Sequence, residues 1–269
     1  MTRVGVLGAG GRMGREVCRA VADDPDLELV AAVDPALAGI DLRQVIGEDA
    51  AGLQVAGDVE ELERSGAHVA VDFTVAVAAV EHMRWCASNG VHAVVGTTGI
   101  GSGVLDELRA CFEGSAANCV MAANFAIGAV LMMRLAELAA PFMDGVEIIE
   151  LHHDGKLDAP SGTALITADR LVRARDDAGG DAWPLDKTAS QVLAGARGGE
   201  GPGGIRIHSV RLHGMVAHQE VLFGAVGQSL SIRHDAYDRT SFMPGMILAV
   251  KAVSGRPGLT VGLDTLLGF

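Results

Sequence analysis

The sequence predicts an α/β fold in which a Rossmann-like, doubly wound parallel sheet is joined to a second α+β domain built on an open mixed sheet. Two patterns predict the parallel sheet. Short apolar, β-branched segments alternate with helical segments over residues 2–122, and the earliest strand runs directly into a glycine-rich turn. A third pattern predicts the mixed sheet, because alternating segments within residues 205–233 are joined by short glycine-containing links, with no helix between them.

Composition favours a protein with a sizeable core and a small-molecule partner. The chain has 269 residues, of which 49% are hydrophobic, enough for two modest domains. Its net charge of −13 disfavours nucleic acid as a partner. Its apolar runs fall short of the roughly 20 residues of a membrane span, so no membrane partner is expected. The N-terminus lacks a signal-peptide pattern, and we therefore expect a cytoplasmic protein.

The N-terminal segment predicts a dinucleotide-binding turn. Thr2 to Leu7 is a short strand, and the helical pattern after it has Met13, Val17 and Val21 on one face. Glycines between strand and helix let the backbone approach a pyrophosphate, and the helix N-terminus supplies N–H groups. Met13 breaks the strict GxGxxG pattern and leaves the weaker spacing GxxGxxG. The cofactor candidates in this turn are Gly8, Gly10, Gly11, Arg12, Met13 and Gly14.

Asp34 follows a second predicted strand, Leu27 to Val33, about 20 residues beyond the glycine turn, where a dinucleotide fold places a ribose-binding carboxylate. The alternative is an aspartate that only begins a turn with Pro35. A carboxylate here favours NADH, because it repels the 2′-phosphate of NADPH, whereas the guanidinium of Arg12 could hold that phosphate. We therefore expect use of both NADH and NADPH, with NADH modestly preferred.

Further strand ends carry small and hydroxyl residues. Strands are predicted at 68–73, 91–95 and 119–122, with helices at 75–88 and 102–112. Dinucleotides lie at the carboxyl ends of parallel strands, and small residues there let a flat ring approach closely. The alternative for Thr97 and Thr98 is that they only cap the next helix. The cofactor candidates here are Phe73, Thr74, Gly96, Thr97, Thr98, Ala122, Ala123, Asn124 and Phe125.

A long apolar helix is predicted at 126–143, with methionines typical of core packing, and a strand follows it. The next stretch, residues 150–164 (ELHHDGKLDAPSGTA), holds two imidazoles, an ammonium and three carboxylates. A helix is predicted from 164 to 175, so this stretch is a strand-to-helix loop, where α/β enzymes place their chemistry. Proton donation or anion binding suits His152, His153 and Lys156. A helix N-terminal seat for a carboxylate or phosphate is offered by Ser161, Gly162 and Thr163.

Less specific roles exist for these residues. Ser161 or Thr163 could be only an N-cap, and the two histidines could be a satisfied surface pair. A metal site at His152-His153-Asp154 is disfavoured, because adjacent side chains on a strand point to opposite faces, and we expect no metal. Reduced, mostly buried thiols are expected, since no CxxC spacing connects Cys18, Cys86, Cys111 and Cys119.

The stretch 150–164 closely resembles the signature of the 4-hydroxy-tetrahydrodipicolinate reductases, NAD(P)H enzymes of the diaminopimelate and lysine pathway. The Gly-Arg-Met-Gly turn, GTTG at 96–99 and AANF at 122–125 also resemble that family, and the resemblance covers nearly the whole chain. It implies that GTTG lies near the nicotinamide and that His152 and Lys156 are the acid pair. It also implies that a carboxylate of a small dicarboxylate substrate is bound by His153, Ser161, Gly162 and Thr163.

The resemblance also implies how the chain is organised. Residues 1–125 plus 235–269 would form the dinucleotide-binding domain, and residues 126–234 the substrate-binding and oligomerisation domain. The glycine-rich loop at 176–204 could bring Arg197 to the substrate. A homotetramer is implied, and the predicted open sheet would need such a cover for its apolar residues Val210, Leu212, Val221 and Leu222.

Two other functions stay open. One is a nucleotide-sensing binding protein that has lost catalysis, and the other is a different two-domain oxidoreductase that acts on a sugar. Fold alone does not separate these from a reductase. The complete set of His152, His153 and Lys156 favours the reductase, because a sensor needs the glycine turn but no proton donors.

Overall fold

The computed structural model of the protein describes residues 1–47 and 52–269. It contains two compact units, one formed by Met1–Ala126 with Arg239–Phe269 and the other by Ile127–Asp238. Within the described ranges, every helix is too short or too polar to cross a membrane.

The first unit is built on a sheet whose strands are linked by helices. Its strands are β1 (Thr2–Leu7), β2 (Leu27–Val33), β3 (Val69–Asp72), β4 (His92–Val95), β5 (Cys119–Met121) and, near the C-terminus, β11 (Leu259–Val261). Its helices are α1 (Arg12–Asp23), α2 (Arg43–Ile46), α3 (Glu61–Arg64), α4 (Ala76–Asn89), α5 (Ser102–Glu113), α8 (Met243–Ala252) and α9 (Asp264–Leu267).

The strand order of this sheet is β11-β5-β4-β3-β1-β2, and all of its described pairings are parallel. The predicted Rossmann-like doubly wound sheet is thus confirmed. Most positions of its central strands are apolar because both faces of the sheet are covered, and all of β3 is buried. The chain places β2 on one side of β1 and β3 on the other. The carboxyl ends of β1 and β3 therefore flank the crevice where such sheets bind ligands.

The second unit contains a mixed sheet, as predicted. Its elements are α6 (Ile127–Ala139), β6 (Gly145–His152), α7 (Gly162–Asp177), β7 (Gly199–Glu200), β8 (Arg206–Arg211), β9 (Ala217–Ala225) and β10 (Gln228–Ala236). The strand order is β10-β9-β6-β8-β7, in which β6 and β8 are parallel and the other pairs antiparallel. Its core includes Ile148, Leu171, Ile207, Val221 and Phe223.

Three details of this unit differ from the sequence prediction. The strand β8 does not pair with β9 through a tight turn, because β6 lies between them. Residues 212–216 therefore cross the carboxyl end of β6, where the N–H of Leu212 donates to the carbonyl of His152 at 3.0 Å. Val221 was expected to need a cover from another subunit but is fully buried within the unit. Finally, α6 ends at Ala139, because Pro141 continues it only as a 3₁₀ turn.

The methionines of α6 support the core-packing interpretation, since Met132 and Met133 are buried. The cysteines also behave as predicted. All are free, and Cys18, Cys86 and Cys119 are buried while Cys111 is exposed. Burial raises the pKa of the Cys18 thiol to about 12, despite the nearby charge of Arg19, so it is protonated at neutral pH.

Candidate active site

The glycine turn joins the end of β1 to the start of α1. The N–H groups of Gly8 and Ala9 both donate to the carbonyl of Val33, at 2.8 and 3.1 Å, which holds the turn against β2. Gly8 has φ of +79°, a conformation that side chains disfavour. A Cβ on Gly14 would lie 2.7 Å from the carbonyl carbon of Gly8, so α1 approaches the turn closely only because Gly14 is glycine. Arg12 is exposed at the first position of α1.

Asp34 is bound to both the glycine turn and its own turn. Its Oδ2 accepts from the N–H of Gly10 at 2.9 Å, and its Oδ1 accepts from the N–H of Ala36 at 3.0 Å. The turn-forming role considered for Asp34 is therefore present. Asp34 can still accept a hydrogen bond from a ribose hydroxyl, because each carboxylate oxygen has a second lone pair.

A cavity of about 630 Å³ lies beside Asp34 in the first unit. It is larger than a cavity of about 430 Å³ in the second unit. The larger cavity is lined in part by Gly8, Gly11, Phe73 and Thr74, all predicted cofactor residues. The lining also includes residues that were not predicted to contact the cofactor, and several of them are carboxylates. These additional residues are Asp58, Glu60, Glu81, His82 and Trp85.

One buried carboxylate organises the strand ends around this cavity. Asp72, 2% exposed, accepts through Oδ1 from the N–H and hydroxyl of Thr74 at 2.8 and 2.7 Å, and from the hydroxyl of Thr97 at 3.3 Å. Its Oδ2 is 2.7 Å from Nδ1 of His82. The helix-cap alternative for Thr97 and Thr98 is wrong, since α5 begins only at Ser102, after Gly101. Thr97 is buried whereas Thr98 is exposed.

The remaining cofactor candidates lie around two phenylalanine rings that pack against each other. The rings of Phe73 and Phe125 lie 5.8 Å apart, and a Cβ on Gly96 would meet Phe73 at 2.6 Å or less. Asn124 accepts from the N–H of Ala126 at 2.8 Å, which turns the chain after β5. Ala122 is buried and Ala123 exposed. Cofactor contact by these residues stays a prediction.

In the second unit, the stretch 150–164 is anchored by Glu150. Strand alternation places Glu150 and His152 on the same face of β6 as buried Ile148. Glu150 is fully buried, and its Oε2 lies 2.5 Å from Nδ1 of His152. The guanidinium of Arg211 donates to both Glu150 oxygens at 2.9 Å, and the N–H of Ser161 donates to Oε1 at 3.2 Å.

Lys156 and His153 lie in the loop that leaves β6. The ammonium of Lys156 donates to both carboxylate oxygens of Asp158, at 2.7 and 2.9 Å, and that bond lowers the pKa of Asp158. The backbone N–H of Lys156 donates to the carbonyl of His153 at 3.1 Å, which forms a tight turn. The His153 ring lies over Gly155, where a Cβ would be 3.4 Å from Nδ1.

The predicted anion seat lies at the N-terminus of α7. Ser161 is buried and is the N-cap, since its hydroxyl accepts from the N–H of Ala164 at 3.2 Å. The capping role considered for Ser161 is thus present. Gly162 and Thr163 are the next two residues, whose N–H groups have no carbonyl within a helix to receive them. Space above Gly162 is open, because an added Cβ there would meet nothing within 4 Å.

Arg197 is held by carboxylates. Its guanidinium pairs with Glu147, and its Nε lies 3.3 Å from Oδ2 of Asp186. His208 also binds Glu147, at 2.7 Å. The Arg197 side chain, which was predicted to reach the substrate, is therefore bound to two carboxylates, those of Glu147 and Asp186. Over residues 1–47 and 52–269, no group of three His, Cys, Asp or Glu side chains is arranged to hold a metal ion.

Comparison with known proteins identifies one family across the chain. A family model described as dihydrodipicolinate reductase, N-terminus, matches residues 2–125, and one described as dihydrodipicolinate reductase, C-terminus, matches residues 128–267. The 4-hydroxy-tetrahydrodipicolinate reductase of Corynebacterium aurimucosum is 47% identical over 268 residues, with 99% of each chain covered. That of Nocardia farcinica is 49% identical over 267 residues, with 98% of each covered.

Solved structures agree with the family models. The dihydrodipicolinate reductase of Paenisporosarcina sp. TG-14, solved with dipicolinate bound, is 40% identical and has a TM-score of 0.83, with 98% of this chain and 99% of that chain covered. An amine dehydrogenase from Mycobacterium smegmatis, 18% identical with a TM-score of 0.65, covers 98% of this chain and 95% of its own, and shares the fold alone.

Proposed function

The chain belongs to the dihydrodipicolinate reductase family, and on this premise we propose that it reduces 4-hydroxy-tetrahydrodipicolinate to tetrahydrodipicolinate with NADH or NADPH, with His152 and Lys156 as its acid pair. It is an oxidoreductase of diaminopimelate and lysine biosynthesis. The observation that carries the proposed mechanism is a chain of contacts at the carboxyl end of β6. Glu150 binds His152, Arg211 and the N–H of Ser161, and Arg211 also binds the carbonyl of Asp158, whose carboxylate holds Lys156.

The residues present fit a nicotinamide cofactor. Because Gly14 has no side chain, α1 packs directly against the backbone at Gly8, a close helix–turn packing that suits a pyrophosphate-binding turn. Asp34 borders the cavity of about 630 Å³. When bound, the cofactor supplies the hydride. The groups that would hold it are the turn residues Gly8, Gly10, Gly11, Arg12, Met13 and Gly14, then Asp34, Phe73, Thr74, Gly96, Thr97, Thr98, Ala122, Ala123, Asn124 and Phe125.

Substrate binding is proposed at the N-terminus of α7. The open N–H groups of Gly162 and Thr163 and the positive end of a 16-residue helix favour a carboxylate. Such a local positive site is needed in a chain with a net charge of −13. His153 would bind the same carboxylate, while Ser161 would contribute mainly by capping the helix.

Proton donation is proposed for His152 and Lys156. Because Nδ1 of His152 is engaged by Glu150, Nε2 is the atom left to give a proton. Lys156 carries a positive charge that can attract the second carboxylate of the dicarboxylate substrate. Its present partner, Asp158, is largely exposed and can be displaced. Both groups would then act near the position that becomes electron-rich after hydride addition.

The test replaces each acid group and measures turnover. We expect His152→Ala and Lys156→Ala each to lower kcat by roughly 10²- to 10⁴-fold, the usual scale for losing a general acid. Oxidation of the reduced cofactor is followed by absorbance with enzymatically generated substrate. Matched controls are His213→Ala and Lys187→Ala, at exposed positions. Near-normal turnover in both test variants would refute the assignment, and an inactive wild type that still binds NADH would favour the sensor.

We further propose a cytoplasmic homotetramer. The second unit's sheet keeps one face away from its helices, and that face carries partly buried Leu151, Val210 and Leu222 among charged side chains. A second copy of the chain would cover these residues. Sedimentation at micromolar concentration should give a species near four times the chain mass of 27.7 kDa, and a stable monomer would contradict the proposal.

A further inference from the structure

Glu150 is a charged side chain in a position that normally holds an apolar one. It lies on the buried face of β6, two residues from Ile148, and both are 0% exposed. Burying a carboxylate is unfavourable unless it is paired and hydrogen-bonded. Its partners come from separate segments of the second unit: His152 on β6, Arg211 on β8 and Ser161 before α7.

Arg211 extends this connection to the loop. One guanidinium nitrogen donates to the carbonyl of Val210 at 2.9 Å and the other to the carbonyl of Asp158 at 2.6 Å. The pair therefore joins the end of β6, the end of β8, the loop carrying Lys156 and the first residue before α7. A single buried contact thus fixes every segment that supplies a proposed substrate or proton-transfer group.

The charge state of Glu150 follows from two opposing effects. Burial raises the pKa of Glu150, but hydrogen bonds from His152, Arg211 and Ser209, together with the charge of His152, outweigh burial and lower the pKa from 4.5 to about 2. The carboxylate is therefore ionised at neutral pH. An ionised carboxylate can only accept, so Nδ1 of His152 must carry a proton, and the ring's orientation and tautomer are set.

We propose that Glu150 and Arg211 form a positioning pair for the proposed reductase reaction: Glu150 orients His152 and favours its protonated form, and Arg211 limits that effect by balancing the carboxylate charge. This inference rests on the proposed function. It assigns no contact with substrate to either residue. Their opposite charges act on one imidazole, so removing them should have opposite electrostatic consequences.

The elements around His152 carry few other charged groups that face its ring, and the adjacent His153 lies beyond the strand end, over Gly155. Its neighbour on β9 is Ala217, and its neighbour on β8 is Arg211 itself. The first turn of α7 carries no acidic residue. In the loop, Lys156 is paired with Asp158, and Asp154 lies 3.8 Å from exposed His213. Glu150 and Arg211 are consequently the charges placed to control the ring.

The experiment compares Glu150→Gln, Arg211→Gln and the double variant in the full-length protein. The titration midpoint of the His152 ring is measured by NMR on histidine-labelled protein without substrate, with a His152→Gln sample to assign the signal. We expect the midpoint to be lowest in Glu150→Gln, intermediate in the double variant and highest in Arg211→Gln. In the reductase assay, the fall of kcat/KM at high pH should move in the same order.

Two further variants separate positioning from general damage. Glu147→Gln removes a charged partner from the opposite face of β6 and should leave the His152 midpoint unchanged. Arg211→Lys keeps the charge but loses the paired donors, so it should hold the midpoint near that of wild type while kcat falls roughly 10- to 100-fold. If one glutamine variant fails to fold by circular dichroism, the order of the remaining midpoints still decides.

The outcomes distinguish this inference from the proposed function. Equal or reversed midpoints among the folded variants would overturn the positioning pair even if the wild type is an active reductase. An inactive wild type in which the midpoints still follow the expected order would overturn the reaction but leave the pairing. Ordered midpoints with matching shifts in the kcat/KM profile would support both.

Discussion

Gly14→Ala tests whether the close approach of α1 to the glycine turn forms the cofactor site. The new Cβ would lie 2.7 Å from the carbonyl carbon of Gly8 and 2.9 Å from Cα of Ala9, whereas ordinary contacts begin at 3.4 Å. The carbonyl oxygen of Gly8 would lie closer still, so helix and turn must separate by more than the roughly 0.7 Å that the carbon contact alone requires. Both neighbours are backbone, so no side chain can rotate away. Overpacking of this kind costs about 1–3 kcal/mol in stability.

The same displacement should weaken cofactor binding, because the turn N–H groups and the α1 N-terminus move apart. A misplacement near 1 Å can cost about 10²-fold in function, so we expect the Kd for NADH to rise by roughly 10- to 100-fold. Calorimetric titration and urea unfolding measure the two effects.

Gly103→Ala is the matched control for Gly14→Ala. Both glycines lie near the start of a 12-residue helix, but a Cβ on Gly103 meets nothing within 4 Å. Replacing a helical glycine by alanine in open space should stabilise the protein by about 0.5–1 kcal/mol and leave NADH binding unchanged. The reasoning fails if Gly14→Ala and Gly103→Ala unfold and bind NADH alike.

Two other predictions concern charge. Asp34→Ala should shift the kcat/KM preference toward NADPH, and Arg12→Ala toward NADH, at fixed low ionic strength; an unchanged ratio in Asp34→Ala would reduce Asp34 to a turn residue. The pKa of Glu150 in the folded protein is about 2, below the ordinary 4.5, so the stability it contributes is complete above pH 4.5 and is lost as pH falls through 2. At about 1.4 kcal/mol per pKa unit this is about 3 kcal/mol, and Glu150→Gln should flatten that part of the urea-unfolding profile, whereas an unchanged slope would contradict it.

The sequence predicted those parts of the molecule whose cause is local. The strand, glycine turn and helix at the N-terminus follow from residues adjacent in the chain, and so does Asp34 at the end of β2. The mixed sheet was also predicted, because alternation along each strand reports a strand regardless of its neighbours. The order of those strands was not, since pairing of β6 with both β8 and β9 depends on contacts distant in sequence.

The candidate site shows the same division. The stretch 150–164 identified the histidines, Lys156 and the start of α7, yet nothing in it indicates Arg211, which is 61 residues from Glu150. Asp72, at the end of β3, was likewise not predicted to be a site residue, although it binds Thr74, Thr97 and His82. Buried charges of this kind can be found from sequence only as an acidic residue inside an apolar strand, a signal that Glu150 does give.

The two adjacent histidines show how strand geometry divides the work of one motif. Because side chains alternate along β6, His152 shares a face with Glu150 and is 16% exposed, whereas His153 lies beyond the strand end, over Gly155. A buried carboxylate fixes the first ring, which suits a proton donor that must keep one orientation. The second ring has no such partner among the described contacts, which suits a group that adjusts to a bound carboxylate.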